Sequence, residues 1–223
     1  EAAAMSDLSR RELNRIAREK TLLDAALVVF ARAGYSGASM DSLAAEAGMT
    51  KPTLYKYFNS KEALFTAMME ARRDDMLLAF DDPTPAMMVR QLHTFAWGYA
   101  KIVMRPDMLS LARLIIGETQ RFPEIGRAYQ ASGPDRVFEG MVEYLSVLRD
   151  AGRLVFEGAD LAAQDLWGLV LSGVRTRALY EPEWVPETDE ISRAVNNGLR
   201  VFLRAYSADV EADLVQLETV ITA

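Results

Sequence analysis

Residues 37–58 run Gly37-Ala38-Ser39-Met40-Asp41-Ser42-Leu43-Ala44-Ala45-Glu46-Ala47-Gly48-Met49-Thr50-Lys51-Pro52-Thr53-Leu54-Tyr55-Lys56-Tyr57-Phe58. Ser39 is a good N-cap, because its hydroxyl can accept from a first-turn amide, and Met40, Leu43, Ala44 and Ala47 then share one inward helical face. Gly48 ends the segment in the left-handed conformation that glycine adopts cheaply. Thr50 can cap a further short segment, Lys51 to Phe58, where Pro52 is tolerated because first-turn amides have no intrahelical partner. Two short helices joined by a glycine turn read as a helix-turn-helix.

Working outward, Leu13, Ile16, Leu23, Leu27 and Phe30 recur at three, four or seven residues, which predicts a preceding helix that Gly34 stops. Downstream, Asn59-Ser60-Lys61-Glu62 offers a cap for a longer helix carrying Leu64, Phe65, Met68, Met69, Met76 and Leu77 and running from Lys61 to about Phe80. Asp81-Asp82-Pro83-Thr84-Pro85 should break it, since proline donates no amide and disfavours helix in the residue before it. Further breaks fall at Arg105-Pro106, Phe122-Pro123, Ser132-Gly133-Pro134, Ala151-Gly152 and 181–186. Between them lie segments of helical length and period, without the alternation and hairpin turns of β-structure. The expected fold is all-α, with about nine or ten helices.

The chain has 223 residues and a net charge of −7, with no cysteine and one histidine. That excludes disulfide scaffolds, thiolate metal sites and thiol catalysis, and leaves no histidine cluster for zinc, so neither metal nor cofactor is expected. No nucleophile elbow, phosphate loop or metal-ligand spacing supports an all-α enzyme. No apolar run approaches the roughly 20 residues that span a bilayer, and the expectation is a cytoplasmic protein without a membrane partner. Charge is unevenly placed: residues 5–62 hold nine Lys/Arg against seven Asp/Glu, and residues 63–223 hold sixteen against twenty-four. Arg10, Arg11, Arg15, Arg18 and Lys20 form a cationic run compatible either with an arm lying along phosphates or with a solvated helix end. Glu1-Ala-Ala-Ala precedes a plausible start at Met5 and reads as an appended remnant, so residues 1–12 are taken as that remnant plus a basic arm.

The string from Gly37 to Phe65, above all Thr53-Leu-Tyr-Lys-Tyr-Phe-Asn-Ser-Lys-Glu-Ala-Leu64, strongly resembles the DNA-binding domain of the tetracycline-repressor (TetR) family, the match running from about Arg15 to Phe65. Leu114-Ile-Ile-Gly-Glu-Thr-Gln-Arg-Phe-Pro-Glu-Ile125 with Gly133-Pro134 is similar to the C-terminal domain of AefR-like repressors, although regulatory domains of the family diverge widely. The resemblance implies a three-helix DNA-binding domain at 13–62 and a ligand-binding and dimerisation domain at 63–223. A recognition helix enters the major groove with its N-terminal residues on base edges, which puts Lys51, Pro52, Tyr55 and Lys56 nearest the bases. By resemblance Thr53, Tyr57 and Lys61 contact phosphates with Ser39, while Leu54 and Phe58 point into the small core. Partial burial is the alternative for Tyr55 and Tyr57, and a solvated first-turn lysine for Lys61.

In the second half, residues 160–180 and 189–206 each carry a broad apolar face, and Gly168, Gly173 and Gly198 would let helices approach closely. The family implies two such helices per subunit in a four-helix bundle at a two-fold axis; a purely intramolecular core is the alternative. Seven of the eleven methionines lie between Met68 and Met108, a stretch that also holds Phe80, Phe95, Trp97 and Tyr99. Methionine and aromatic side chains suit adaptable apolar sites, although at helical spacing they also serve as ordinary core. An effector pocket is therefore expected among 87–104, 108–118 and 138–144, closed by Trp167, with Phe95, Trp97, Met104, Met108, Glu118, Met141 and Trp167 as its candidate residues. Arg175 is a further candidate polar contact. His93 is expected at the surface or hydrogen-bonded in the core. The expected function is a homodimeric repressor on double-stranded operator DNA, released by a small, mainly apolar effector. An activator using the same DNA-binding domain and a helical protein-interaction module are the alternatives.

Overall fold

The computed structural model describes residues 10–77 and 84–222, with the side chains of 72–77 and of Ser132 outside that description. Residues 1–9, the helix end expected near Phe80, the break at 81–83 and the packing of Met76 and Leu77 thus lie outside the described residues. Eleven α-helices are present among those described: α1 Arg10–Gly37, α2 Met40–Glu46, α3 Lys51–Tyr55, α4 Lys61–Leu77, α5 Met88–Val103, α6 Pro106–Glu118, α7 Pro123–Ser132, α8 Pro134–Asp150, α9 Ala159–Tyr180, α10 Thr188–Tyr206 and α11 Val210–Thr222. The only extended pairing among them is a single antiparallel bridge between Leu154 and Ser207. Proline opens α6, α7 and α8, where its missing amide and fixed φ cost nothing.

The chain forms two compact units: residues 1–71 with 113–132, and residues 72–112 with 133–223. The first unit is thus discontinuous in sequence, and α4 and α6 each pass from one unit to the other, at 71–72 and 112–113. Its core is built on Leu22, Ala26, Leu27, Phe30, Leu43, Leu54, Leu64 and Phe65. Phe30, Tyr35 and Phe65 form a ring cluster with centroids 5.4–5.7 Å apart, joined by Phe122 at 6.1 Å from Tyr35. Such ring geometries add to the area that the rings bury. Leu13 and Ile16 depart from the sequence reading: both are exposed, and burial on α1 begins at Leu22. The first turns of α1 are held instead by surface pairs such as Arg15 with Glu12 and Glu19.

In the second unit Met88, Leu92, Phe95, Tyr99, Met141, Leu145, Leu166, Val170, Leu199, Phe202 and Leu217 share one apolar cluster. α9 and α10 approach so closely at Gly198 that a Cβ there would stand 2.5 Å from the Leu169 carbonyl oxygen. The final helix α11 is pinned by charge as well as by Leu217. Asp213, 2% exposed, accepts from Arg153 and from Ser207 Oγ, each at 2.6 Å, and Arg153 also donates to the Pro85 carbonyl at 3.2 Å.

Candidate nucleic-acid interface and ligand site

Ser39 caps α2 as the sequence predicts: its Oγ accepts from the Ser42 amide at 3.1 Å, and the Ser42 hydroxyl accepts in return from the Ser39 amide at 3.0 Å. A serine fills the place that a glutamate usually holds in this reciprocal cap. Gly48 takes φ 63° and turns the chain into α3. Thr50 precedes α3 without a side-chain cap bond; its hydroxyl pairs with that of Thr53 at 2.8 Å. Leu54 is fully buried and anchors α3 to the small core, whereas Phe58, expected beside it, is only half-buried.

With Leu54 facing inward, Lys51, Pro52, Tyr55 and Lys56 are exposed, and Thr53 and Tyr57 are half-buried at the margin. Tyr55 keeps 47% of its surface in solvent. Lys51 Nζ donates to Asp41 Oδ2 at 3.0 Å, and this hydrogen bond raises the lysine pKa. Both partners are well exposed, so the pair is weak and screened, and a guanine or phosphate acceptor can replace Asp41.

Lys61 is half-buried at the start of α4. Its ammonium donates to the carbonyl oxygens of Tyr35 at 2.6 Å and Ala38 at 3.0 Å and lies 4.3 Å from the Tyr35 ring centroid. Desolvation by this packing lowers its pKa, an effect the Glu118 carboxylate opposes. Two of its three donors are thus placed on carbonyls.

The candidate ligand residues divide. Phe95, Met104 and Met141 are buried in the second unit's cluster, and Trp167 packs against it with its ring 5.0 Å from Tyr99. Phe95 and Tyr99 stack at 6.2 Å, so Phe95, Tyr99 and Trp167 form an aromatic ladder. Trp97 also packs against this cluster, outside the ladder: two residues from Phe95 on a helix, it lies on another flank of α5 and pairs edge-on with His93 at 6.4 Å. Met108 is buried near the start of α6. Glu118 falls in the first unit, where Oε2 accepts from Ser36 Oγ at 3.2 Å. Burial lowers the His93 pKa, offset in part by Asn196 beside it. The Arg175 Nε is buried without a hydrogen-bond partner. No three His, Cys, Asp or Glu side chains converge as a metal site among the described residues.

Sequence reasoning missed Tyr35, whose ring and carbonyl receive Lys61. Gly34 beside it signals the kink in α1, but no local signal names the side chain that takes the carbonyls of Tyr35 and Ala38.

A helix-turn-helix with Lys51, Pro52, Tyr55 and Lys56 exposed, in a chain with a second helical unit, is the architecture of a DNA-binding regulator. The bacterial regulatory proteins of the tetR family match residues 22–68, and the C-terminal domain of AefR-like transcriptional repressors matches residues 90–208. The chain belongs to the TetR family of transcriptional regulators. It is 40% identical over 70 residues to the transcriptional activator FasR of Mycolicibacterium smegmatis, a match covering 30% of this chain and about a third (32%) of that relative. Among solved structures, a TetR-family transcriptional regulator from Mesorhizobium loti MAFF303099 superposes with a TM-score of 0.71 at 26% identity, covering 86% of this chain and 98% of that one. The flavonoid-responsive regulator FrrA does so with a TM-score of 0.67 at 29% identity, covering 86% and 97%.

Proposed function

We propose that the protein is a dimeric repressor that leaves its operator when a small, mainly apolar effector binds the second unit. The observation that carries this reading is the exposed row Lys51, Pro52, Tyr55 and Lys56, held at fixed orientation by fully buried Leu54. Side chains at the start of a short helix reach base edges, and those at its margin, Ser39, Thr53 and Tyr57, suit phosphates. A dimer is supported by α9, where Leu161 and Leu169 are exposed and nothing lies within 4 Å of a Cβ on Gly168 or Gly173. A helix face of small and apolar residues suits close approach of a second copy, and two copies suit half-sites about 34 Å apart.

The aromatic ladder Phe95, Tyr99 and Trp167, with Met104 and Met141 in the same cluster, supports an apolar effector, because thioethers and rings repack around varied shapes. Arg175 adds one unpaired donor for an acceptor group on it. The effector must bind the released conformation more tightly than the DNA-bound one, or no switch follows. A tilt of α4, which runs into both units, would change the spacing of the two reading heads and lower affinity without altering a DNA contact. The name of FasR favours a second reading, activation from the same kind of operator.

A mobility shift on the DNA flanking the protein's own gene, at two salt concentrations, tests the reading, followed by a panel of aromatic and aliphatic ligands. A salt-sensitive shift that survives nonspecific competitor, relieved by one ligand, is expected. Failure on that DNA and in selection from random sequence would sink the proposal.

A further inference from the structure

Asp41 stands in the first turn of α2, and Lys51 opens α3. Ten residues apart and on different helices, the two side chains meet, Lys51 Nζ donating to Asp41 Oδ2. Lys51 belongs to the exposed row offered to the bases, so its partner shares that surface, with 70% of the Asp41 side chain in solvent. A carboxylate there opposes the polyanion that the same surface is read as binding. Residues 38–58 hold two lysines and two acids, and the second acid, Glu46, turns instead to Arg32 of α1 at 3.0 Å. The positive end of α2 favours an acid in its first turn. That accounts for a carboxylate near Ser39 but not for one that reaches across to α3. The hydrogen bond also raises the lysine pKa, so the charged ammonium is the form that the pair holds.

We propose that Asp41 is a specificity-determining residue: it holds Lys51 toward base edges and penalises complexes in which that lysine meets only phosphate. The ammonium has three donors, and one carboxylate takes one of them. In the operator complex the remaining donors reach guanine O6 and N7, while Asp41 keeps the flexible lysine stem from swinging to the nearest phosphate. On other DNA no guanine is in register, and the phosphates repel Asp41 without a base contact to offset the repulsion. Specificity is a difference between affinities, and a repulsive element raises it even where the pair itself is weak. The inference rests on the DNA-binding reading above.

The test uses the full-length protein, an operator duplex selected from random sequence and a scrambled duplex of the same composition. Asp41→Asn is expected to tighten binding to the scrambled duplex roughly 2- to 30-fold, the strength of one exposed pair in each of two subunits, and to tighten operator binding less, so that the ratio of the two falls. On the scrambled duplex the slope of log affinity against log salt should steepen by about one per subunit, as the freed lysine takes up a phosphate. In a Lys51→Met background the same Asp41→Asn change should leave the ratio where it stands. An unchanged ratio, equal weakening on both duplexes, or the same fall without Lys51 would each overturn the proposal. Titration of the Lys51 ammonium by NMR, without DNA, separates this failure from that of the DNA reading: its pKa should drop in Asp41→Asn. No drop refutes the pair, whereas a wild-type protein that binds no duplex refutes the DNA reading and the specificity role that rests on it, even with the pair intact.

Discussion

Replacing Gly198 with alanine should destabilise the second unit, although alanine is the better helix former. The new Cβ would stand 2.5 Å from the Leu169 carbonyl oxygen, 2.8 Å from its carbon and 3.0 Å from Val170 Cα. All three are backbone atoms, so no side chain can swing aside and α9 must draw away from α10. Overpacking of this kind costs about 1–3 kcal/mol, and a rigid obstacle places the case near about 3. Alanine returns about 1 kcal/mol through helix propensity, leaving a net loss of about 2 kcal/mol. In a protein of this size each kcal/mol moves Tm by about 2–4 °C, so a fall of about 4–8 °C is expected. Gly98→Ala in α5 is the control, because nothing lies within 4 Å of its Cβ and only the helical gain should appear. Far-UV circular dichroism melts at one fixed protein concentration make the comparison independent of any self-association. A Gly198→Ala variant melting at or above the wild type would refute the reasoning.

Three further outcomes follow from the geometry. Tyr55→Ala should weaken operator binding while the dimer persists in gel filtration, and dissociation instead would deny Tyr55 its place on the reading face. The folded-state pKa of His93 is depressed, so its contribution to stability is complete above its ordinary value near 6.5 and is lost as pH falls through the folded value. The wild type should therefore lose more Tm between neutral pH and about pH 5 than His93→Gln does, and equal losses would exclude the linkage. Asp213→Ala removes the buried acceptor of Arg153 and Ser207 and should cost about 3–5 kcal/mol in urea unfolding, whereas a loss below about 1 kcal/mol would show that the pair is dispensable.

The helix-turn-helix was legible because its signals are local. A capping serine, a left-handed glycine and a leucine at the right register each act within one turn, and each stands where the sequence puts it: Ser39, Gly48, Leu54. What escaped was set by partners distant in sequence. Leu13 and Ile16 continue the helical period of α1, but no pattern along one helix says which of its turns another element covers, and both stay exposed. The charge of Lys61 was plain in the sequence, but the carbonyls of Tyr35 and Ala38 that it holds lie more than twenty residues away. Glu118 adjoins the apolar run of α6 in sequence, yet it falls in the first unit, where it accepts from Ser36. Residue type announced the aromatic ladder, but the flank of α5 that each ring occupies depended on helical geometry, which divides Phe95 from Trp97.

The discontinuity of the first unit bears on how such regulators can be recombined. A reading head cut after residue 62, or even after residue 71, leaves behind 113–132, and with it Phe122 against Tyr35, the Glu118 carboxylate and buried Ile125. Hybrids that graft this head onto another sensor should therefore fold and read DNA only if the acceptor's own α6–α7 corner supplies an aromatic ring and an acid at those places. Transplanting the pair of segments together is the safer exchange. The modular unit of this protein is a spatial patch assembled from two stretches of chain, and a junction chosen by sequence position alone passes through it.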